Sequence, residues 1–185
     1  MFSFFGPPDP TRTWLRAPDL RLECDLASAT LNGVKPGSPL EAVSFLGPVE
    51  DRSGLKNGWC NYPSLGLCIV FLDDSTIQQF EIIRQVKSRR EQAFPVTVRH
   101  GDLILDLESL NEPAFVERFG TPYWRDLDDQ EILLFYEFPQ LEWQVEFELN
   151  GSYRGISVTA DPLLAQADQR NAYCVTKPWP PESGR

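Results

Sequence analysis

At 185 residues, with 42% hydrophobic and 12% aromatic content, the chain is long enough to bury a substantial core and lies far from disordered compositions. Seventeen basic residues (Lys and Arg, 17) against 27 acidic ones give a formal charge of −10, which repels phosphate backbones and anionic lipid and leaves a basic protein as the fitting partner. No run approaches the roughly 20 apolar residues of a membrane span, and Met1 to Pro8 lack the basic start of a secretion signal, so a cytoplasmic protein is expected.

In chain order, Leu20 to Leu26 reads as a first strand of weak alternation. Ser38-Pro39-Leu40-Glu41 predicts a helix start, with a hydroxyl cap, a proline in the first turn and an acid placed to reach back to the cap. Leu40, Val43 and Leu46 then share one face, and Gly47 ends the helix. Trp59 to Tyr62 is the next strand, and Leu65, Leu67, Ile69 and Phe71 alternate with Gly66, Cys68 and Val70. Asp73-Asp74 turns this strand into another, carried by Ile77, Phe80 and Ile82. The polar stretch from Arg84, with Lys87, Arg89 and Arg90, reads as a solvated linker.

The second half repeats the order. Leu103 to Leu107 is its first strand, Asn111 caps its helix, Phe115, Val116 and Phe119 form the apolar face, and Gly120 is the stop. A loop around Arg125 to Gln130 precedes a strand from Ile132 to Phe138, then a hairpin whose turn is Asn150-Gly151. The self-match is carried by Tyr62-Pro63-Ser64-Leu65 and Phe138-Pro139-Gln140-Leu141, each followed by alternating apolar residues ending in Phe71 and Phe147. After about Ala160 the pattern fades, and the proline-rich stretch from Lys177 to Arg185 reads as an extended or disordered tail. The predicted fold is α+β, with two tandem repeats, 20–83 and 101–159, each a short helix on an antiparallel sheet of about four strands. Residues 1–19 lead in, 84–100 link the repeats, and 160–185 extend the second.

The stretch Leu31 to Pro48, a glycine turn leading into a small helix that ends in Leu46-Gly47-Pro48, resembles a pattern of the β-lactamase inhibitor protein and the SmpA/OmlA-type outer-membrane assembly lipoproteins; Phe119-Gly120-Thr121-Pro122 repeats that ending. The resemblance implies a tandem helix-plus-sheet architecture and a saddle that clamps a partner protein.

Residue chemistry argues against catalysis. His100 is the one histidine, reads as an exposed turn residue, and lacks a nucleophile elbow, so no catalytic residue is assigned. Cys24, Cys60, Cys68 and Cys174 show no Cys-x-x-Cys spacing and are expected as reduced thiols; no metal or cofactor is expected. Asp126, Asp128, Asp129 and Glu131 lack the calcium-loop glycine and distal glutamate, and read as a solvated loop.

Opposite Leu141, Trp143, Val145 and Phe147, which should face the core, stands the row Glu142, Gln144, Glu146 and Glu148, expected to be hydrated. Its counterpart in the first repeat, Gly66, Cys68, Val70 and Leu72, is small or apolar, and is expected to be covered by the N-terminal segment or the linker, or else to floor a binding surface. Trp124 and Trp179 have no periodic context and are candidates for exposed contact residues. The function expected is a non-enzymatic protein-binding module of the immunity or inhibitor type, using Glu142, Gln144, Glu146, Glu148, Trp124, Asp126 and Asp128. The alternatives are a small hydrolase-like enzyme with Asp126, Asp128 and His100 lining a site between the repeats, and a structural subunit of a homo-oligomer.

Overall fold

Alternating apolar runs settle into eleven strands and two short α-helices among the residues described by this computed structural model, which are 9–83, 96–107, 109–138 and 141–179. The first half contributes β1 (Leu22–Asp25), β2 (Thr30–Leu31), β3 (Trp59–Tyr62), β4 (Leu67–Phe71) and β5 (Ile77–Ile83). The second contributes β6 (Val96–His100), β7 (Leu103–Ile104), α1 (Glu112–Phe119), β8 (Trp124–Leu127), β9 (Glu131–Phe138), β10 (Leu141–Glu148), β11 (Tyr153–Thr159) and α2 (Ala167–Ala172).

The strands form a seven-stranded sheet in the order β3-β4-β5-β11-β10-β9-β8 and a four-stranded sheet in the order β2-β1-β6-β7. Both sheets draw on both halves of the chain, which corrects the expectation of one antiparallel four-stranded sheet per half. In the large sheet the halves meet antiparallel at β5 and β11, with Glu81 opposite Ser157 at the middle of the pairing. In the small sheet they meet through a parallel pair, β1 with β6, Cys24 opposite Val98. The expected linker therefore ends early, since Val96–His100 is a strand; Arg84 to Pro95, with its basic residues, lies outside the described residues. The strand expected from Leu103 to Leu107 shrinks to the two residues of β7. The loop expected around Arg125 is likewise strand β8, at one edge of the large sheet.

The hairpin register agrees with the alternation read from the sequence. Cys60, Ile69, Phe80, Val158, Trp143 and Tyr136 form one cross-strand row on the core face, and Tyr62, Leu67, Ile82, Ile156, Val145 and Leu134 form the next. All twelve are buried in one cluster with Leu22, Cys24, Val96 and Val98 of the small sheet. Rows of this kind remove apolar surface from water at ~25 cal/mol per Å² and hold the two sheets together without any crosslink. The four cysteines are free, three of them buried, and burial pushes the Cys24 and Cys60 thiols up to about 12.

Two short helical segments close this core. In the second half Asn111 caps α1 as expected, its side chain accepting from the Ala114 N–H at 3.0 Å, and Phe115 is buried against Phe119, Tyr136 and Phe147. In the first half the segment Leu40–Leu46 is a 3-10 helix, and no side chain caps it. The expected Ser38 cap is corrected: Pro39 is the N-cap, Ser38 lies one residue outside with its carbonyl accepting from the Ile77 N–H of β5, and the Leu40 N–H donates to the Ser75 carbonyl. Gly47 and Gly120 end the two segments at φ of 79° and 82°. Each terminal glycine carbonyl accepts a tyrosine hydroxyl, Tyr62 on Gly47 at 3.1 Å and Tyr136 on Gly120 at 2.8 Å. No helix among the described residues is long and apolar enough to cross a membrane.

Candidate functional site: the outer face of the large sheet

The face of the large sheet turned away from the core carries the polar half of each alternation. One outer row runs Trp59, Val70, Gln79, Thr159, Glu142, Glu137; the next runs Asn61, Cys68, Glu81, Ser157, Gln144, Phe135, Trp124; a third joins Ile83, Gly155, Glu146, Leu133 and Asp126. Its chemistry is that of several carboxyl groups with few cations.

The carboxyls differ in how they are satisfied. Glu142 was expected in water and is instead completely buried. Its Oε1 accepts from the Gln144 side-chain amide, while its Oε2 is buried with no partner. Glu137, across the β9–β10 pairing, has both oxygens buried and unpartnered, and burial first, then the neighbouring Glu142, raises its carboxyl to about 10. Glu81 is also raised by burial, against hydrogen bonds from Gln79 and Cys68 that pull the other way. Glu146 is raised by burial and by Glu131, with Arg154 opposing.

The cause of this burial is the C-terminal segment, which the sequence pattern left without a place. Leu164 is fully buried, Tyr173 of the turn after α2 meets Phe135 edge-on at 5.1 Å, and Trp179 meets Tyr123 at 5.8 Å. The Tyr123 hydroxyl donates to the carbonyls of Lys177 and Pro178, and Lys177 Nζ donates back to the Tyr123 carbonyl at 2.6 Å. Lys177 to Trp179 are thus docked, which corrects the disordered alternative of the expected extended or disordered tail for those residues; the chain beyond them lies outside the described residues. The segment covers the part of the face near Glu137, Phe135 and Glu142, and so removes Glu142 from any open binding row.

At the other end of the face the acids are half-buried except for Asp128. Glu131 and Glu148 lie opposite each other on β9 and β10, Asp126 stands in the row with Glu146, and Asp128 is exposed. Arg154 sits at a bulge in β11 and pairs with both Glu131 and Glu146. Asp128 has a structural task as well: its Oδ1 accepts from the Gln130 and Glu131 N–H groups, and these bonds hold its carboxyl below the ordinary range.

The remaining candidate residues separate. Trp124 is half-buried on β8, its indole N–H enclosed without an acceptor among the described residues, and so is not an open contact residue. Trp179 is half-buried against Tyr123. His100 is not an exposed turn residue: it ends β6 and packs edge-on against Phe119 at 5.4 Å and Trp143 at 5.6 Å. It thus lies on the core side, whereas Asp126 belongs to the outer face, and the three residues of the supposed enzyme site are not brought together.

The fold is similar to that of a DUF4309 family protein (YjgB) from Bacillus subtilis. The two share a TM-score of 0.53 at 15% identity, over 71% of this chain and 84% of that one, so the likeness concerns fold alone. No protein-family model and no curated protein sequence matches the chain.

In the first half, Gly66 and Cys68 of the outer face are buried and Val70 is half-buried, while Leu72 is exposed, so the row is covered at its Gly66 end and open at its Leu72 end. Trp14 does not cover it, because it packs into the core cluster; Phe2, Phe4 and Phe5 lie outside the described residues. Glu137, Glu81, Arg154 and Tyr173 belong to the site and were missed from sequence. Glu137 was within reach of sequence reasoning: pairing Phe138 with Leu141 puts it directly opposite Glu142. Tyr173 had no such signal, since nothing periodic ties it to the sheet.

Proposed function

We propose that the chain is a non-enzymatic protein-binding module of the immunity or inhibitor type, built from two tandem repeats, which takes a basic partner at the open acidic end of its large sheet. The observation that carries this reading is the gathering of Asp126, Asp128, Glu131, Glu146 and Glu148 on three neighbouring strands and their turn, with Arg154 the one cation ion-paired among them in the described residues. Such a cluster, with one cation against five acids, attracts and orients a basic surface, speeding encounter and disfavouring acidic competitors. The Tyr62–Gly47 and Tyr136–Gly120 bonds support the repeat reading, because Tyr62 opposite Leu67 and Tyr136 opposite Trp143 hold corresponding places in the sheet, two residues away from the Tyr62–Phe138 match read in the sequence.

The experiment is affinity capture from the source cell, followed by titration of the captured basic protein against wild type and an Asp126→Lys/Glu148→Lys double variant. The reading expects a Kd at least about tenfold weaker, near 1.4 kcal/mol, with a salt dependence that diminishes in the variant. Equal affinity of the two proteins, at low and high salt, would remove this end of the sheet from the proposal.

A further inference from the structure

We propose that Glu137 and Glu142 form a shared-proton latch, in which one proton held between the two carboxyl groups keeps the C-terminal segment, residues 161–179, seated on the sheet, and its loss at rising pH releases the segment and uncovers the acidic face. What the uncovered face is for rests on the binding function proposed above; the release itself does not.

The argument begins with the register. Glu142 and Glu137 are directly opposite on β10 and β9 and point to the outer side, because Trp143 and Tyr136 beside them are in the core. Three of their four oxygens are buried without a partner, and the fourth accepts from Gln144. Two ionised carboxylates at such a place would each bear the full cost of lost hydration and would repel each other. The nearby cations are committed elsewhere. Arg154 is paired with Glu131 and Glu146, Arg170 donates to the carbonyls of Leu164 and Ala165 at 2.8 and 2.7 Å, and Lys177 donates to the Tyr123 carbonyl. What is left to neutralise the pair is a proton, with one carboxyl acting as donor and the other as acceptor, as in other closely spaced acid pairs.

The elements packed around the pair place its charge against the segment. Tyr123 lies before β8, and its phenol is raised by burial and then by Glu137, with Arg170 opposing. Tyr173 of the segment is raised by burial and then by Asp126, Glu131, Glu142 and Glu146. Gln144 follows Glu142 on the outer side of β10 with Glu146 one row further, Thr159 faces the pair from β11, and Gln79 stands beyond Thr159 on β5. A second negative charge would therefore act on the two phenols that dock the segment, Tyr123 edge-on to Trp179 and Tyr173 edge-on to Phe135. Water reaches that charge when the segment lifts.

The sign follows from the direction of the shift. Glu137 is raised above its ordinary value of 4.5, so its contribution to the closed state is fully present below that value and is lost progressively as pH rises toward the raised one. The closed segment is the acid-side form.

Hydrogen-exchange mass spectrometry on the full chain between pH 6 and pH 9, corrected for intrinsic exchange, reads the latch directly. Across 161–179 wild type should lose protection at least about tenfold more than across 67–83, the hairpin of β4 and β5, whose smaller loss follows the stability of the whole fold. Glu137→Gln, a neutral side chain that can still donate to Glu142, should hold the segment closed throughout. If circular dichroism shows that this variant does not fold, Glu142→Gln serves in its place with the same expectation. Protection of the segment that is flat with pH in wild type, an equal pH slope in the variant, or a loss at 67–83 as large as that at 161–179 would each overturn the latch. Because the segment itself is measured, failure to capture any basic partner leaves this result standing, and a failed latch leaves the binding assay unaffected.

Discussion

Truncating Phe115 to alanine tests whether α1 is part of the cooperative core or merely rests on it. The ring is completely buried, with centroids 4.5 Å from Phe119, 5.5 Å from Tyr136 and 6.0 Å from Phe147. It is also the one fully enclosed side chain of the helix. An aromatic of this kind buries about 150–250 Å², worth roughly 4–6 kcal/mol at ~25 cal/mol per Å², and large-to-small changes at such sites cost about 3–5 kcal/mol. Against a total stability of about 5–15 kcal/mol the variant should fold but melt on the order of 10 °C lower. Urea unfolding followed by tryptophan fluorescence should show a lower midpoint at an unchanged slope, and Phe115→Leu should lose under about 1.5 kcal/mol. A loss below about 1 kcal/mol in Phe115→Ala, at unchanged slope, would refute the reasoning, because the helix would then be dispensable to the core.

Two further outcomes follow from the described contacts. Asn111→Ala should cost about 1 kcal/mol because it removes the cap on the Ala114 N–H, while Ser38→Ala should cost under about 0.5 kcal/mol; comparable losses in thermal melts of the pair would show that the two helix starts are equivalent after all. Stability should also peak on the acidic side of neutrality. Glu81, Glu137 and Glu146, raised chiefly by burial, contribute fully below their ordinary 4.5 and less as pH rises, whereas Asp25 and Glu50 are buried in part yet held low by hydrogen bonds from Ser28, Gly101 and Ala27 and from Arg16 and Ser64, and lose their contribution as pH falls. Unfolding by urea at pH 4, 5.5 and 8 checks this, and greater stability at pH 8 than at 5.5 would contradict it.

How much of the site was legible follows from the range of each interaction. The alternation of Leu141, Trp143, Val145 and Phe147 against Glu142, Gln144, Glu146 and Glu148 is local, and side chains on a strand must alternate, so the two faces were assigned correctly. Whether the outer face meets water is not local. Glu142 is dry because Tyr173, distant in sequence and without periodicity, comes to lie on that side of the sheet. A glutamate is read as hydrated by default, and the default failed where another segment excluded solvent.

The same division runs through the fold. Turn residues, caps and apolar periodicity act over a few residues, which is why the hairpins at Asp74 and Asn150, the cap at Asn111 and the glycine stops at Gly47 and Gly120 were set by the sequence itself. Sheet membership depends on which backbone edges meet. That β5 joins β11 and β1 joins β6, turning two expected small sheets into one large and one small sheet shared by both halves, was decided by tertiary structure alone. Backbone N–H and C=O groups are alike in every residue, so a strand's own sequence does not name its neighbour; burying both apolar faces in one core does.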